Sequence, residues 1–344
     1  MSRYRISGLV LALTLLLSGC VQTKPVQRQF FAMDTFMTLT AYGKGAEDAL
    51  AQAEQYVLAL EADISVTRPD SGIAALNTQG RAQVSEQAFA LLTDAVSLCD
   101  LTDGVLDVTS YPAVKAWGFT TGEYQVPSPQ QLEQLAANID YTALSLDEAA
   151  RTAVLPEGGS IAVDLGAVAK GWAGEQLAGM LKDAGVTSAL LSLGGNVQTV
   201  GGKPDGTPWR VGIQDPDSET GAYLASVSVA DKAVVTSGGY QRYFEQDGET
   251  YWHILDPETA APARSGVTSA TIVGADGGLC DAFSTALFIM GAEQAAAFWR
   301  SNPQLEFDYV LVLEDGSIHI TQGLEDSFAL VEGYQDRKVT VIAP

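Results

Sequence analysis

Three short segments of this chain hold residue types whose spacing could do chemistry. In Gly278-Leu279-Cys280-Asp281-Ala282-Phe283-Ser284-Thr285, a helix starting at Asp281 would set its carboxylate and the Thr285 hydroxyl four residues apart on one face. Two hard oxygens so placed suit Mg²⁺, which keeps several waters and completes its shell from substrate phosphates. The same pair can equally be an N-cap aspartate and an ordinary helical threonine. The second segment, Ala162-Val163-Asp164-Leu165-Gly166-Ala167-Val168-Ala169-Lys170-Gly171, reads as a strand passing through a glycine turn into a helix. Such a turn aims backbone amides and carbonyls at whatever lies above it, and Asp164 and Lys170 add a charge of each sign, which suggests a phosphate or ribose site. Neither the P-loop order nor GxGxxG is present, and a capping Asp164 with a solvated Lys170 fits as well. In the third, Tyr251-Trp252-His253-Ile254-Leu255-Asp256-Pro257, one histidine stands near a strand end just before a turn. An imidazole there can act as a general base near neutral pH, or be structural.

The elements that must hold these segments follow from hydrophobic periodicity. Phe36 to Tyr42 reads as a strand, and Ala46 to Leu60, Ser85 to Leu98 and Ser128 to Ala137 read as helices. Ile161, Val163 and Leu165 alternate as a strand. Val168 to Ala184 is a helix closed by Gly185, and Ala189 to Leu193 is a buried strand ending at Gly194-Gly195. Strands then dominate: Arg210 to Ile213, Tyr223 to Val229, Val234 to Thr236, and Tyr240 to Phe244 turning at Asp247-Gly248 into Tyr251 to Leu255. A helix from Asp281 to Met290 and a hairpin around Asp315-Gly316, with His319 on a solvated edge, complete the pattern. No repeat or linker divides it, so the fold class is α+β, one unit of two interlocked subdomains. With 42 acidic against 19 basic residues the formal charge is -23, which excludes nucleic-acid binding driven by bulk electrostatics. His253 and His319 are the only histidines, which argues against a His-rich zinc or iron centre.

Residues 1–19 have the form of an export leader: Arg3 and Arg5 precede an apolar run, Gly8 to Leu17, too short to span a bilayer. Its end, Leu17-Ser18-Gly19-Cys20, resembles the bacterial lipobox, so Cys20 is expected to carry acyl chains and anchor the body outside the cytoplasm. Residues 20–29 would be the lipidated tether and 30–344 the functional domain. Of the other cysteines, Cys99 and Cys280 could pair in an oxidising compartment or lie buried as small hydrophobes; the latter is the expectation.

Taken in order, the segments resemble the bacterial flavin transferase family of the ApbE type. The resemblance is carried by Met33-Asp34-Thr35-Phe36, Arg68-Pro69-Asp70-Ser71 with Leu76-Asn77, Asp103-Gly104 through Asp107-Val108-Thr109 to Trp117-Gly118-Phe119, Asp164-Leu165-Gly166-Ala167 with Lys170-Gly171, Leu193-Gly194-Gly195-Asn196, Thr236-Ser237-Gly238, His253 to Pro257, and Asp281 with Thr285. It implies a mixed β-sheet with flanking helices and an FAD cleft between the subdomains. FAD, the substrate, would be held by Met33, Leu106, Asp107, Val108, Asp164, Lys170 and His253. Mg²⁺ would sit on the Ala167 carbonyl, Asp281 and Thr285, with Ser284 beside it. His253 or Asp281 would take the proton as FMN moves from FAD to a Ser or Thr of an extracytoplasmic redox protein, releasing AMP. Hydrolysis of FAD to FMN and AMP, or a lipoprotein that binds flavin without turnover, are the alternatives. The chain departs from the family pattern at Gly72, Ala74 and Ala75, where Ser-Glu and Ser-Arg are usual. Trp252 replaces a frequent second histidine, and Ala260-Ala261-Pro262 lacks the usual glycine; if that glycine needs a positive φ, the turn must differ there.

Overall fold

The computed structural model describes residues 24–218 and 221–344; the leader, Cys20 and the first part of the tether lie outside the described residues. Nine strands form one sheet whose spatial order is the chain order: β1 (Val26–Ala32), β2 (Thr35–Tyr42), β3 (Ser188–Leu193), β4 (Asn196–Val200), β5 (Ala233–Gly238), β6 (Val267–Gly274), β7 (Asp308–Leu313), β8 (Ile318–Thr321) and β9 (Val339–Ile342). Neighbours are antiparallel except β8 and β9, which run parallel. Seven α-helices are described: α1 (Ala46–Ile64), α2 (Gly72–Gln79), α3 (Glu86–Leu101), α4 (Tyr111–Ala116), α5 (Pro129–Ala136), α6 (Ala169–Asp183) and α7 (Gly277–Ser301).

The apolar runs of the central strands are continuous because both faces of the sheet are covered. Val235, Ile272 and Leu311 belong to the core shared with α1, α6 and α7. Their neighbours Val234, Val273, Val310 and Val312 pack against a small sheet made of Trp209–Gln214, Tyr223–Val229 and Phe328–Leu330. A third cluster builds the other subdomain around Trp117, Phe119, Phe244 and Ala260. It interlocks distant parts of the chain: Tyr243–Gln246 pairs with Glu249–Trp252, Phe244 and Tyr251 pack on Trp117, and the Trp117 indole N–H donates to the Ala260 carbonyl at 2.8 Å. No helix among the described residues is long and apolar enough to cross a membrane.

Several sequence expectations need correction. The folded body begins at Val26 rather than 30, because Val26 to Gln29 pair with Ala41 to Thr38 as the start of β1. Ile161 to Leu165 joins no sheet and makes only an isolated parallel bridge, Ala162 with Ser110. The Asn77 side chain stands in for a neighbouring strand there, donating to the Val163 carbonyl at 2.8 Å and accepting from its N–H at 2.7 Å. The hairpin strand expected from Tyr240 begins at Tyr243. His319 is not on a solvated edge: β8 lies between β7 and β9, and burial lowers its pKa. Helix α7 starts at Gly277 with Asp276 as N-cap, and continues past Met290 through a break at Gly291 to Ser301. Ala260 keeps a positive φ of 54° despite having a side chain, so the turn retains a glycine-like conformation. Cys99 and Cys280 are both buried and free.

Helices α6 and α7 cross with backbone against backbone. A Cβ added at Gly171 would lie 2.1 Å from the Gly277 carbonyl oxygen, whereas one added at Gly179, on the same helix, meets nothing within 4 Å. We therefore expect opposite effects from one chemical change. Gly179→Ala should stabilise by about 0.5–1 kcal/mol through helix propensity, and Gly171→Ala should destabilise by about 1–3 kcal/mol through overpacking. Urea midpoints check this, and a shift of the same sign for both would contradict it.

Candidate functional site

A cleft of about 900 Å³ opens where one end of the large sheet meets the second subdomain. Two tight turns form its sheet side: Met33-Asp34 between β1 and β2, and Gly194-Gly195 between β3 and β4. Each places two residues at positive φ, the geometry of a two-residue hairpin that follows strand twist. Glycine suits the second turn, and Gly194 also leaves room for Thr35, whose Cγ2 would be 2.3 Å from an added Cβ. The first turn uses Met33 (φ 48°) and Asp34 (φ 58°), a strained choice held by the Glu61 carboxylate, which accepts from the Met33 N–H at 2.7 Å. The end of β5, the first turns of α6 and α7, Arg68, Leu106 to Val108 and His253 to Leu255 complete the walls.

Asp281 lies inside α7, not at its cap, and is 4% exposed. Its Oδ2 accepts the Gly171 N–H at 2.7 Å across the helix crossing. Burial pushes its carboxyl upward, against the opposing pull of the Lys170 charge and the Gly171 N–H. Thr285, one turn on, reaches the cleft and stands 3.2 Å from the Ser237 hydroxyl at the end of β5. Ser284 is fully buried; its hydroxyl donates to the Asp281 carbonyl at 2.8 Å and lies 2.7 Å from Ser237 Oγ. Ala167, Asp281 and Thr285 thus line one space, whereas Ser284 supports it from behind. Among the described residues no three His, Cys, Asp or Glu side chains converge as a metal cage. One buried carboxylate with a hydroxyl and a carbonyl suits a hard cation that takes other ligands from water and substrate, and Mg²⁺ is of that kind.

His253 lines the same cleft. Its backbone N–H donates to the Arg242 carbonyl at 3.1 Å, and its Nδ1 is 3.2 Å from the same oxygen. A carbonyl only accepts, so Nδ1 carries the proton of the neutral ring and Nε2 keeps its lone pair. Burial, then the Arg242 charge, lower its pKa to about 4. Asp164 is fixed by its Oδ1 accepting the Gly166 N–H at 2.8 Å and its own N–H donating to the Val108 carbonyl at 2.8 Å. It is not a cap of α6; burial pushes its carboxyl up while the Gly166 N–H, Arg242 and Lys170 draw it down. Lys170 lines the cleft with its Nζ 3.4 Å from the Gly166 carbonyl. Asp107 is spent internally: Oδ1 accepts from the Thr109 N–H and hydroxyl, Oδ2 from the Tyr141 N–H. It shapes the Leu106 to Val108 wall rather than offering a free carboxylate.

The sequence profile of the ApbE family matches residues 33–308. The chain belongs to the ApbE family. It is 30% identical to the FAD:protein FMN transferase of Vibrio cholerae over 320 residues, 89% of this chain and 93% of that protein. The FAD:protein FMN transferase of Treponema pallidum is 30% identical over 334 residues, 91% of each chain. Among solved structures, the ApbE protein of Thermotoga maritima superposes with a TM-score of 0.82 at 27% identity, covering 88% of this chain and 99% of that one. The flavin transferase ApbE of Vibrio cholerae gives 0.77 at 26% identity, covering 89% and 99%.

This ApbE-family cleft gathers Met33, Leu106, Asp107, Val108, Asp164, Ala167, Lys170, His253, Asp281 and Thr285, all singled out in the sequence, and leaves only Ser284 off its surface. Sequence reasoning missed Arg242, which contributes a carbonyl to His253 and a guanidinium to the cleft. No local pattern marks it, since a basic residue beside a strand is ordinary. The environment of the histidines yields a direct check. In the ligand-free protein the His253 ring should titrate near 4, with nitrogen shifts of the Nδ1–H tautomer, and His319 below its usual 6.5. NMR with His253→Gln for assignment measures both. A His253 midpoint at or above 6.5 would overturn the burial account.

Proposed function

We propose that the protein moves the FMN half of FAD onto a Ser or Thr hydroxyl of an acceptor protein and releases AMP, with Mg²⁺ required. The observation that carries this reading is the cleft itself. It brings Asp281, Thr285 and the Ala167 carbonyl into one space with Lys170, Arg242 and a neutral His253. Its volume, about 900 Å³, is near the upper end of the roughly 300–1,000 Å³ typical of ligand pockets, as a dinucleotide requires.

In this mechanism the acceptor hydroxyl oxygen bonds to the FMN phosphorus while the bond from that phosphorus to the bridging oxygen breaks. The bridging oxygen leaves on AMP, and the hydroxyl proton passes to Nε2 of His253. Nδ1, tied to the Arg242 carbonyl, keeps the ring oriented so that Nε2 is the basic atom. Lys170 and Arg242 supply positive charge to the diphosphate. Ala167, Asp281 and Thr285, with Ser284 behind them, would hold Mg²⁺, whose charge offsets that developing on the phosphoryl oxygens and on AMP. Met33, Asp164 and the Leu106 to Val108 wall bind and orient the rest of FAD.

The leader and Leu17-Ser18-Gly19-Cys20 support an enzyme anchored through acyl chains at Cys20 on the extracytoplasmic face of a bacterial membrane, acting on a membrane-bound or secreted redox protein. Since β1 begins at Val26, the chain from Cys20 to Val26 spans at most about 20 Å when extended, which would keep the body close to the lipid surface.

Mixing protein, FAD, Mg²⁺ and an acceptor, then reading flavin fluorescence in a denaturing gel together with AMP, tests the reaction. Fluorescent acceptor with AMP supports transfer; AMP alone means that water is the acceptor. Asp281→Ala removes the one charged group of the proposed metal set and should abolish Mg²⁺-dependent AMP release while weakening FAD binding less, with Thr285→Ala a milder version. His253→Ala should lower transfer by about 10²–10⁴ with little change in flavin affinity; a wild-type rate would mean that another group takes the proton. Cys20→Ser should move the protein to the soluble fraction with activity on a soluble acceptor retained. Firm membrane retention would refute the anchor.

A further inference from the structure

An ion pair crosses the mouth of the cleft. Arg242 Nη2 lies 3.3 Å from Asp34 Oδ2, joining the β1–β2 turn to the residue just before Tyr243–Gln246. We propose that this pair is a latch: in the unliganded protein Asp34 holds a diphosphate-binding guanidinium in position, and the diphosphate of the substrate displaces the Asp34 carboxylate from it. The proposal rests on the reading that the cleft takes FAD with Arg242 on its diphosphate, and adds to it the group that competes for that guanidinium.

Three features make exchange, rather than a fixed structural bridge, the expected behaviour. First, the two side chains are 42% and 81% exposed, and a pair so exposed is weak, whereas a guanidinium on a phosphate can form two parallel charge-assisted bonds. Second, Asp34 cannot follow the arginine. It sits in a turn with two positive φ angles, anchored through the Met33 N–H on Glu61. Third, the base of Arg242 is fixed while its tip is not, because its carbonyl takes both the backbone N–H and Nδ1 of His253. The guanidinium therefore moves about an anchored main chain beside the histidine. Arg68, another cation of the cleft, contrasts with this: Nε and Nη2 both bind the Asp70 carboxylate two residues away, at 3.4 and 3.1 Å, a local fork with no reach across the mouth.

A binding cycle decides the matter without turnover. FAD affinity is measured by flavin fluorescence quenching, at about 0.15 M salt and without acceptor, for the full protein and for Asp34→Asn, Arg242→Ala, Arg242→Lys and the Asp34→Asn/Arg242→Ala double variant. Circular dichroism confirms folding. Asp34→Asn should tighten FAD binding by about two- to fivefold, since the competitor is gone. Arg242→Ala should weaken it about tenfold or more, with Arg242→Lys between because an ammonium cannot make the fork. In the Arg242→Ala background, Asp34→Asn should change affinity less than about 1.5-fold. Equal tightening in both backgrounds would reduce Asp34 to simple charge repulsion, and weaker FAD binding by Asp34→Asn would make the pair a structural brace; either overturns the latch. Riboflavin, which lacks phosphate, should bind no differently to the variants, and a shift parallel to that of FAD also overturns it. If the unsubstituted protein binds no FAD, the flavin reading fails and the latch with it.

Discussion

Helices α6 and α7 share the cleft only because no side chain separates them where they cross. At Gly171 and Gly277 each backbone occupies the space a Cβ would need on the other, the carbonyl oxygens lying 2.1 and 2.4 Å from the hypothetical methyls. A glycine within a helix costs about 1 kcal/mol relative to alanine. Here that loss is offset by what the close approach makes possible: the Gly171 N–H reaches the Asp281 carboxylate at 2.7 Å, a charge-assisted bond in a buried place. Lys170 is the next residue back, so one crossing fixes an acid and a base of opposite charge together. The start of α7 is held to α6 in the same way, with the Gly277 N–H on Glu175 at 3.2 Å; burial, then the neighbouring Asp276, push that carboxyl up. Ser284 against Ser237 then ties α7 to β5.

Elements with strong local periodicity were legible in the sequence. The helices over residues 46–64, 86–101 and 169–183 follow their apolar spacing, and the Gly194-Gly195 turn follows from two glycines after a buried strand. The residues gathered at the cleft were legible as an ordered set of short segments, not from any one of them. What could not be read was who partners whom. Ile161 to Leu165 alternates like a strand, but its partners are a short backbone stretch at Val108 and Ser110 and the side chain of Asn77, 86 positions away from Val163. Asp107 looks like a free site carboxylate until Thr109 and Tyr141 are seen to consume it. Asp281 at a presumed helix start could be a cap; Asp276, five residues earlier, takes that role and leaves it buried. Each of these depends on long-range contact, which spacing within a segment does not encode.

The cleft draws three cations of an acidic chain in among five carboxylates, Asp34, Glu61, Asp107, Asp164 and Asp281. In a protein of formal charge -23, Arg68, Lys170 and Arg242 all line this one cavity. Net charge therefore says little about what the site attracts, since fields from nearby groups dominate within about 10 Å at ordinary salt. Burial acts on both signs of group. It pushes Asp164 and Asp281 up and His253 down, each toward its neutral form. Such a site is poorly compensated by itself, and a ligand bringing both negative oxygens and a divalent cation would restore the charged forms of the acids and strengthen the imidazole as a base.

Three of the eight described non-glycine residues at positive φ stand at or behind this cavity. Met33 and Asp34 hold positive φ at its lip, and Ala260 holds φ 54° behind its far wall, where glycine would be the unstrained residue. None of the three is left to itself: Glu61 takes the Met33 N–H, Arg242 takes the Asp34 carboxylate, and Trp117 donates to the Ala260 carbonyl. Ala260 holds a conformation that favours glycine, so the turn is imposed by its surroundings rather than chosen by its own residue. The indole bond from Trp117 and the Ala260 N–H on the Asp256 carbonyl at 2.8 Å fix that backbone from both sides. That turn follows directly on His253 to Pro257. The strain of one methyl group, about 1–2 kcal/mol, is small beside a buried aromatic cluster, and this is why the wall carrying the histidine can hold an alanine in a conformation that favours glycine.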